Sequence, residues 1–304
     1  MAQRQHGTER LNGRNYEVWD VLSRKNGLRL RVGYRGTPHA LLILPDGPST
    51  WQHVKAFKRL TEDNRNYPRV LDIERRGDEI RILTTWIEGR SLQWYLDRGR
   101  ADKREWPSLS RTVTLLKGLA HALFFFHRAN LVHIDLKPDN LILARQPDRL
   151  VMIDFGSAIL AERATRSVEG DGVTPAYVAP EVWSETPDFR ADLFSHSVIA
   201  FEMLTGRLPY EGLGGKIGHP QFRTDGPTPC ERPSEFLFHS AAYPRRVLSL
   251  LDTVVMGGLA LDREKRHSSS TEFRNAWNEL FKAVQKSESP SVFDRLLNWL
   301  RVRG

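Results

Sequence analysis

Cysteine is nearly absent: Cys230 is the one thiol in 304 residues, which excludes an intrachain disulfide and any cysteine-based metal cluster. Such a chain suits a reducing compartment. No apolar run is long enough to cross a bilayer, and the opening stretch MAQRQHGTER lacks the apolar centre of a secretion signal. A cytoplasmic setting is therefore expected. Also missing are a long Lys/Arg block and any interleaving of aromatic with basic residues, so no nucleic-acid surface is expected. The 45 Lys and Arg against 37 Asp and Glu still leave a formal charge of +8, read as a solvated basic surface that suits an anionic partner. No segment repeats. What is present is an ordinary globular composition, 40% hydrophobic, enough for one large domain or two small ones.

Residues 1–14 are polar and Arg-rich and are expected to form a loose tail. From Tyr16 to Trp86, apolar stretches at 16–22, 28–32, 40–44 and 80–85 alternate with Gly, Pro and Asn turn signals, the pattern of an antiparallel sheet. Val54, Phe57 and Leu60 fall at helical spacing and predict one helix over 51–60. After Glu88-Gly89 the period lengthens. Val113, Leu116, Leu119, Leu123 and Phe126 recur every three or four residues behind candidate caps Ser108 and Ser110. A further helix over about 271–286 carries Phe273, Trp277, Leu280, Phe281 and Val284 on one face, opened by Ser269 and Glu272 as a capping box. A strand-rich front and a helix-rich back define an α+β fold of two unequal lobes, with the cleft between them as the ligand site.

The most informative stretch is L-V-H-I-D-L-K-P-D-N-L-I-L at 131–143, followed by V-M-I-D-F-G-S at 151–157. Asp and Asn favour turns on their own account, so each acid taken alone reads as a turn cap. Taken with V-A-P-E at 178–181, A-D-L-F-S at 191–195 and F-E-M-L-T-G-R-L-P-Y at 201–210, the ordered set resembles the eukaryotic-type serine/threonine protein kinase family. The resemblance covers about residues 15–286 and is strong from 113 onward. It implies a bilobal protein-kinase-like fold, with a small antiparallel β N-lobe over 15–87 and a larger helical C-lobe over 88–286. It further implies ATP with magnesium, or manganese, and transfer to a Ser or Thr hydroxyl of a protein substrate.

Carried over from the family, Asp135 would orient and deprotonate the acceptor, Lys137 would neutralise charge on the transferred phosphate, and Thr174 would buttress that lysine. Asn140 and Asp154 would offer oxygen ligands to the metal. Backbone groups of Thr85 and Ile87 would bond the base, with Thr84 behind it and Ile142 beneath it. Glu181 would pair with Arg266, Asp192 would hold the catalytic-loop backbone, and His133 and Phe155 would pack in a spine under the site. These last five are architectural.

Two family features are missing. Aligning V-L-S-R-K-N-G-L-R-L-R-V with the glycine-rich turn leaves only Gly27 of its glycines, and aligning H-A-L-L-I-L puts Leu42 at the third-strand lysine. His53 falls where the helix glutamate belongs. Loss of both charges together is a matched change, since either alone would lack its partner. One consequence is a substitute cation from the glycine-loop region, as in with-no-lysine kinases, with Lys25, Arg29 and Arg31 as local candidates. Lys25 is assigned first to the nucleotide site; alternation sends Arg29 and Arg31 to a common face. The other consequence is a pseudokinase, a nucleotide-binding or scaffolding module for a signalling partner. Ile134 replaces the arginine that grips an activation-loop phosphate in many relatives, so switching through Thr165 or Ser167 is not expected. Residues 287–304 read as a linker and a short basic amphipathic helix, suited to packing, a partner or a membrane surface. Residues 211–234 read as a surface insertion.

Overall fold

The computed structural model describes residues 7–24, 27–62, 64–145, 148–155, 158–160, 174–219, 229–237 and 240–288. The front of the chain is a six-stranded antiparallel sheet of β1 (Thr8–Leu11), β2 (Arg14–Ser23), β3 (Leu28–Tyr34), β4 (Thr37–Pro45), β5 (Val70–Arg76) and β6 (Glu79–Thr85), in the order β1-β2-β3-β4-β6-β5. One helix interrupts it, α1 (Pro48–Thr61), which contains the predicted span 51–60. Two strands are not evident from the sequence. β1 lies within the stretch expected to be a loose tail, yet it pairs with β2 and buries Leu11 completely. β5 mixes Leu71 and Ile73 with charged neighbours, and its alternation is too weak to stand out.

Alternation along β3 decides what the cleft receives. Leu30 and Val32 join Leu11, Tyr16, Val18, Leu41, Ile43 and Leu83 in an outer core of the sheet. The intervening Arg29, Arg31 and Gly33 take the opposite face. On β4 the same logic buries Leu41 and Ile43 outside and gives Ala40, Leu42 and Leu44 to the cleft. Gly27, between β2 and β3, has φ +110°, and a Cβ there would lie 2.7 Å from the Ile43 carbonyl oxygen, so both backbone and space demand glycine.

Behind the sheet, β7 (Gly89–Ser91) leads into α2 (Leu92–Ala101) and then α3 (Leu109–Arg128), capped as expected by Ser108, whose hydroxyl accepts from Arg111 N. Short strands β8 (Leu131–Val132), β9 (Leu141–Ala144), β10 (Arg149–Met152) and β11 (Ile159–Leu160) form the floor of the cleft: β10-β9-β7 make one sheet and β11-β8 another. The rest is helical: α4 (Phe189–Thr205), α5 (Pro233–Phe236), α6 (Arg245–Leu259) and α7 (Ser270–Glu288). Every residue of α4 from Ala191 to Thr205 is buried at the centre of the lobe, including Asp192, His196 and Glu202, each with a hydrogen-bond partner. α7 lays Phe273, Trp277, Leu280 and Val284 into that core, as its spacing predicts. Its cap is offset by one residue: Ser269 Oγ accepts from Glu272 N, while the Glu272 carboxylate accepts from Ser268 N and Oγ. Part of the expected surface insertion is tied down, since Gly215 N donates to the Ala176 carbonyl at 2.6 Å and a Cβ on Gly215 or Gly218 would strike the 175–180 segment. The basic segment beyond Glu288 lies outside the described residues, as do Lys25, Thr165 and Ser167.

Candidate active site

A cavity of about 920 Å³ opens between the two lobes, and Asp135, Lys137, Asn140, Asp154 and Thr174 all line it. Its geometry starts from Asp192, fully buried near the start of α4. That carboxylate accepts from the backbone N–H groups of His133 at 2.8 Å and Ile134 at 2.9 Å, and from His127 Nε2 at 2.9 Å. Between them the chain makes a three-residue turn: Asp135 N donates to the His133 carbonyl at 2.9 Å across Ile134, which has φ 68°. Positive φ is an outlier for a β-branched residue and the turn is of the rarer, strained kind. The two Asp192 bonds hold it in place, and the consequence is that the Asp135 carboxylate faces the cavity.

Asp135 is held from three sides. Its Oδ2 accepts from Lys137 Nζ at 2.7 Å, its Oδ1 from Thr174 N at 3.0 Å, and its carbonyl from Asn140 Nδ2 at 2.8 Å. Lys137 Nζ also donates to Thr174 Oγ1 at 2.7 Å. Asn140 thus spends its amide nitrogen on the loop. The site residues expected from the catalytic loop therefore meet in one place.

Beneath them runs an aromatic stack. Phe155 packs on Phe57 of α1 with ring centres 4.0 Å apart, on Phe126 at 5.7 Å and on His133 at 5.8 Å. Burial pushes the His133 imidazole below its usual pKa, against the pull of Asp192, Asp154 and Asp135, and neither ring nitrogen has a hydrogen-bond partner among the described residues. It therefore packs as a neutral ring. Tyr67, which no sequence motif marks, joins the stack at 6.0 Å from Phe155 and donates its hydroxyl to the Ala122 carbonyl. Only the turn signal of Pro68 stands beside it.

At the hinge, Thr84, Thr85, Ile87 and Ile142 line the cavity. Thr85 N is committed to the Arg69 carbonyl at 2.9 Å, so of its two backbone groups only the carbonyl oxygen could bond a base. Leu42 and His53, the residues aligned above with the family's lysine and glutamate, also line the cavity. Trp86, within the hinge stretch T-T-W-I-E-G, stacks on Arg31 at 4.8 Å, and Trp19 stacks on the same guanidinium at 5.4 Å. Arg29 takes another course and forms an ion pair with Asp154. Glu181 and Arg266 form the expected buried pair, bidentate at 2.6 and 2.8 Å.

A bilobal fold with an acid, a lysine, an amide and a second acid around an interlobe cavity is the architecture of protein kinase domains. The protein kinase domain family matches residues 49–284, and the chain belongs to that family. It is 32% identical over 215 residues to the serine/threonine-protein kinase pkn2 of Myxococcus xanthus, covering 68% of this chain and 24% of that protein. Pkn1 of the same organism is 36% identical over 172 residues, covering 54% and 23%. The chain thus spans about a quarter of the length of these relatives. The crystal structure of a double mutant of the Mycobacterium tuberculosis PknI kinase domain matches with a TM-score of 0.55 at 23% identity, over 88% of this chain and 95% of that one, a likeness of fold. No helix among the described residues is long and apolar enough to cross a membrane.

Proposed function

We propose that the chain transfers the γ-phosphoryl group of ATP, with magnesium or manganese, to Ser or Thr hydroxyls of a protein substrate. The observation that carries this reading is the contact set of Asp135, Lys137 and Thr174: a carboxylate and an ammonium locked together at 2.7 Å, with Thr174 bonded to both. In this reading Asp135 accepts the hydroxyl proton as the acceptor oxygen bonds to phosphorus and the bond to the β-phosphate oxygen breaks. Lys137 offsets negative charge on the transferred group. Asn140 and Asp154 are the oxygen donors that suit a hard cation, which when bound would draw charge from the phosphates. The donor set fits that cation, since both residues line the same cavity and each carries a hard oxygen donor. Thr85 and Ile87 would bond the base, above Ile142.

Conversion into a pure scaffold would leave the Asp135, Lys137 and Thr174 network without a purpose for its charge, which weighs against the pseudokinase reading. Burial pushes the Cys230 thiol up to about 12, which makes it a poor nucleophile near neutral pH. The test is transfer of labelled γ-phosphate to a generic basic protein, followed by acid hydrolysis. Phosphoserine or phosphothreonine, lost in Asp154→Ala, is expected. Phosphotyrosine alone, or no transfer with either metal, contradicts the reading.

A further inference from the structure

The sheet has lost its lysine, yet a cation stands next door. Arg29 and Leu42 are direct partners across the β3–β4 ladder, and opposed residues of paired strands project from one face about 5 Å apart. Leu42 lines the cavity with an apolar side chain; Arg29 lines it from the neighbouring strand with a guanidinium. That guanidinium is paired with Asp154, is 17% exposed, and has an Nε buried without a hydrogen-bond partner among the described residues. Arg31, on the same face, cannot play this part, because it is held between Trp19 and Trp86, has Asp20 at 3.6 Å, and is not among the residues lining the cavity.

The Asp154 oxygen that Arg29 engages is one a divalent cation would also use, so a metal there competes with the ion pair for its lone pairs. A guanidinium so displaced stays in the cavity, and its planar fork matches two phosphate oxygens. We propose that Arg29 is the phosphate-anchoring cation of this chain, resting on Asp154 and passing to the phosphates when metal and nucleotide enter. The proposal rests on the reading of the cleft as an ATP site. It also accounts for His53: a cation whose resting partner is Asp154 needs no glutamate on α1.

Calorimetric titration with ATP and magnesium, and separately with adenosine, tests this on wild type, Arg29→Gln, Arg29→Lys and the double variant Arg29→Ala with Leu42→Lys. An anchor that touches only phosphates weakens ATP binding tenfold or more in Arg29→Gln while leaving adenosine within twofold. Arg29→Lys is expected to lie between, and the double variant to regain part of the ATP affinity. ATP affinity within twofold of wild type in Arg29→Gln overturns the proposal, and so does an equal loss for ATP and adenosine, which marks a merely structural clamp. Should Arg29→Gln not fold, Arg29→Lys carries the same comparison. Wild type that binds neither ligand overturns both this proposal and the kinase reading; wild type that binds ATP while Arg29→Gln is unchanged overturns this one alone.

Discussion

Lys137 reaches two oxygens at once, one on Asp135 and one on Thr174, both at 2.7 Å. A hydrogen bond to a charged group contributes about 1.5–3 kcal/mol. Removing the Thr174 hydroxyl should therefore lower kcat about tenfold or more with little change in the KM for ATP, and Thr174→Ser should retain most of the rate; steady-state transfer assays on the two variants check this. The Asp135–Lys137 contact is legible in the sequence because the catalytic loop is short, whereas Thr174, 37 residues from Lys137, is legible only through the family resemblance. Arg29 is legible only as one of three candidates. Its contact with Asp154 spans 125 residues, and nothing local in L-R-L-R-V distinguishes it from a solvated strand cation. What separates Arg29 from Arg31 is the Trp19 and Trp86 rings that hold the latter, and both are contacts made only in the folded sheet.

Among the elements, α1 decides whether the front of the molecule engages the back. Its Phe57 is buried and packs on Phe155, just after Asp154, with the rings tilted by 38°. Truncation of a buried aromatic costs about 3–5 kcal/mol. Phe57→Ala should lower the thermal midpoint by several degrees and also reduce transfer, because the ring beneath Asp154 loses its support; differential scanning calorimetry beside the transfer assay measures both. The spacing of Val54, Phe57 and Leu60 discloses this helix. No such spacing discloses β1, since Thr8, Glu9 and Arg10 are polar and only Leu11 is fully buried; the strand exists because the edge of β2 offers it a ladder. Helices α3 and α7 are readable because each buries one unbroken apolar stripe. Central α4 hides its acids and histidine inside, so it is readable through its motif rather than its period.

For the whole molecule, buried histidine sets how stability follows pH. His196, enclosed between Phe273 and Trp277, is pushed down to about 4 by burial, and His133 moves in the same direction. A histidine depressed in the folded state binds its proton first in the unfolded chain, so its stabilising effect is full above the unfolded value of about 6.5 and is lost as pH falls toward 4. For His196 alone the loss by pH 5 is on the order of 2 kcal/mol. The thermal midpoint should drop between pH 7.5 and 5, and His196→Gln should flatten that drop. Glu202, raised by burial, takes up its proton in the folded chain above the ordinary carboxylate value and so offsets part of this trend as pH falls. The lobes so held bring Asp135 to the cavity, and the claim that it serves as the base for transfer is tested most directly by Asp135→Asn. ATP affinity within about threefold of wild type, with single-turnover transfer reduced about a hundredfold or more, is the result this account predicts; transfer by Asp135→Asn at the wild-type rate would contradict it.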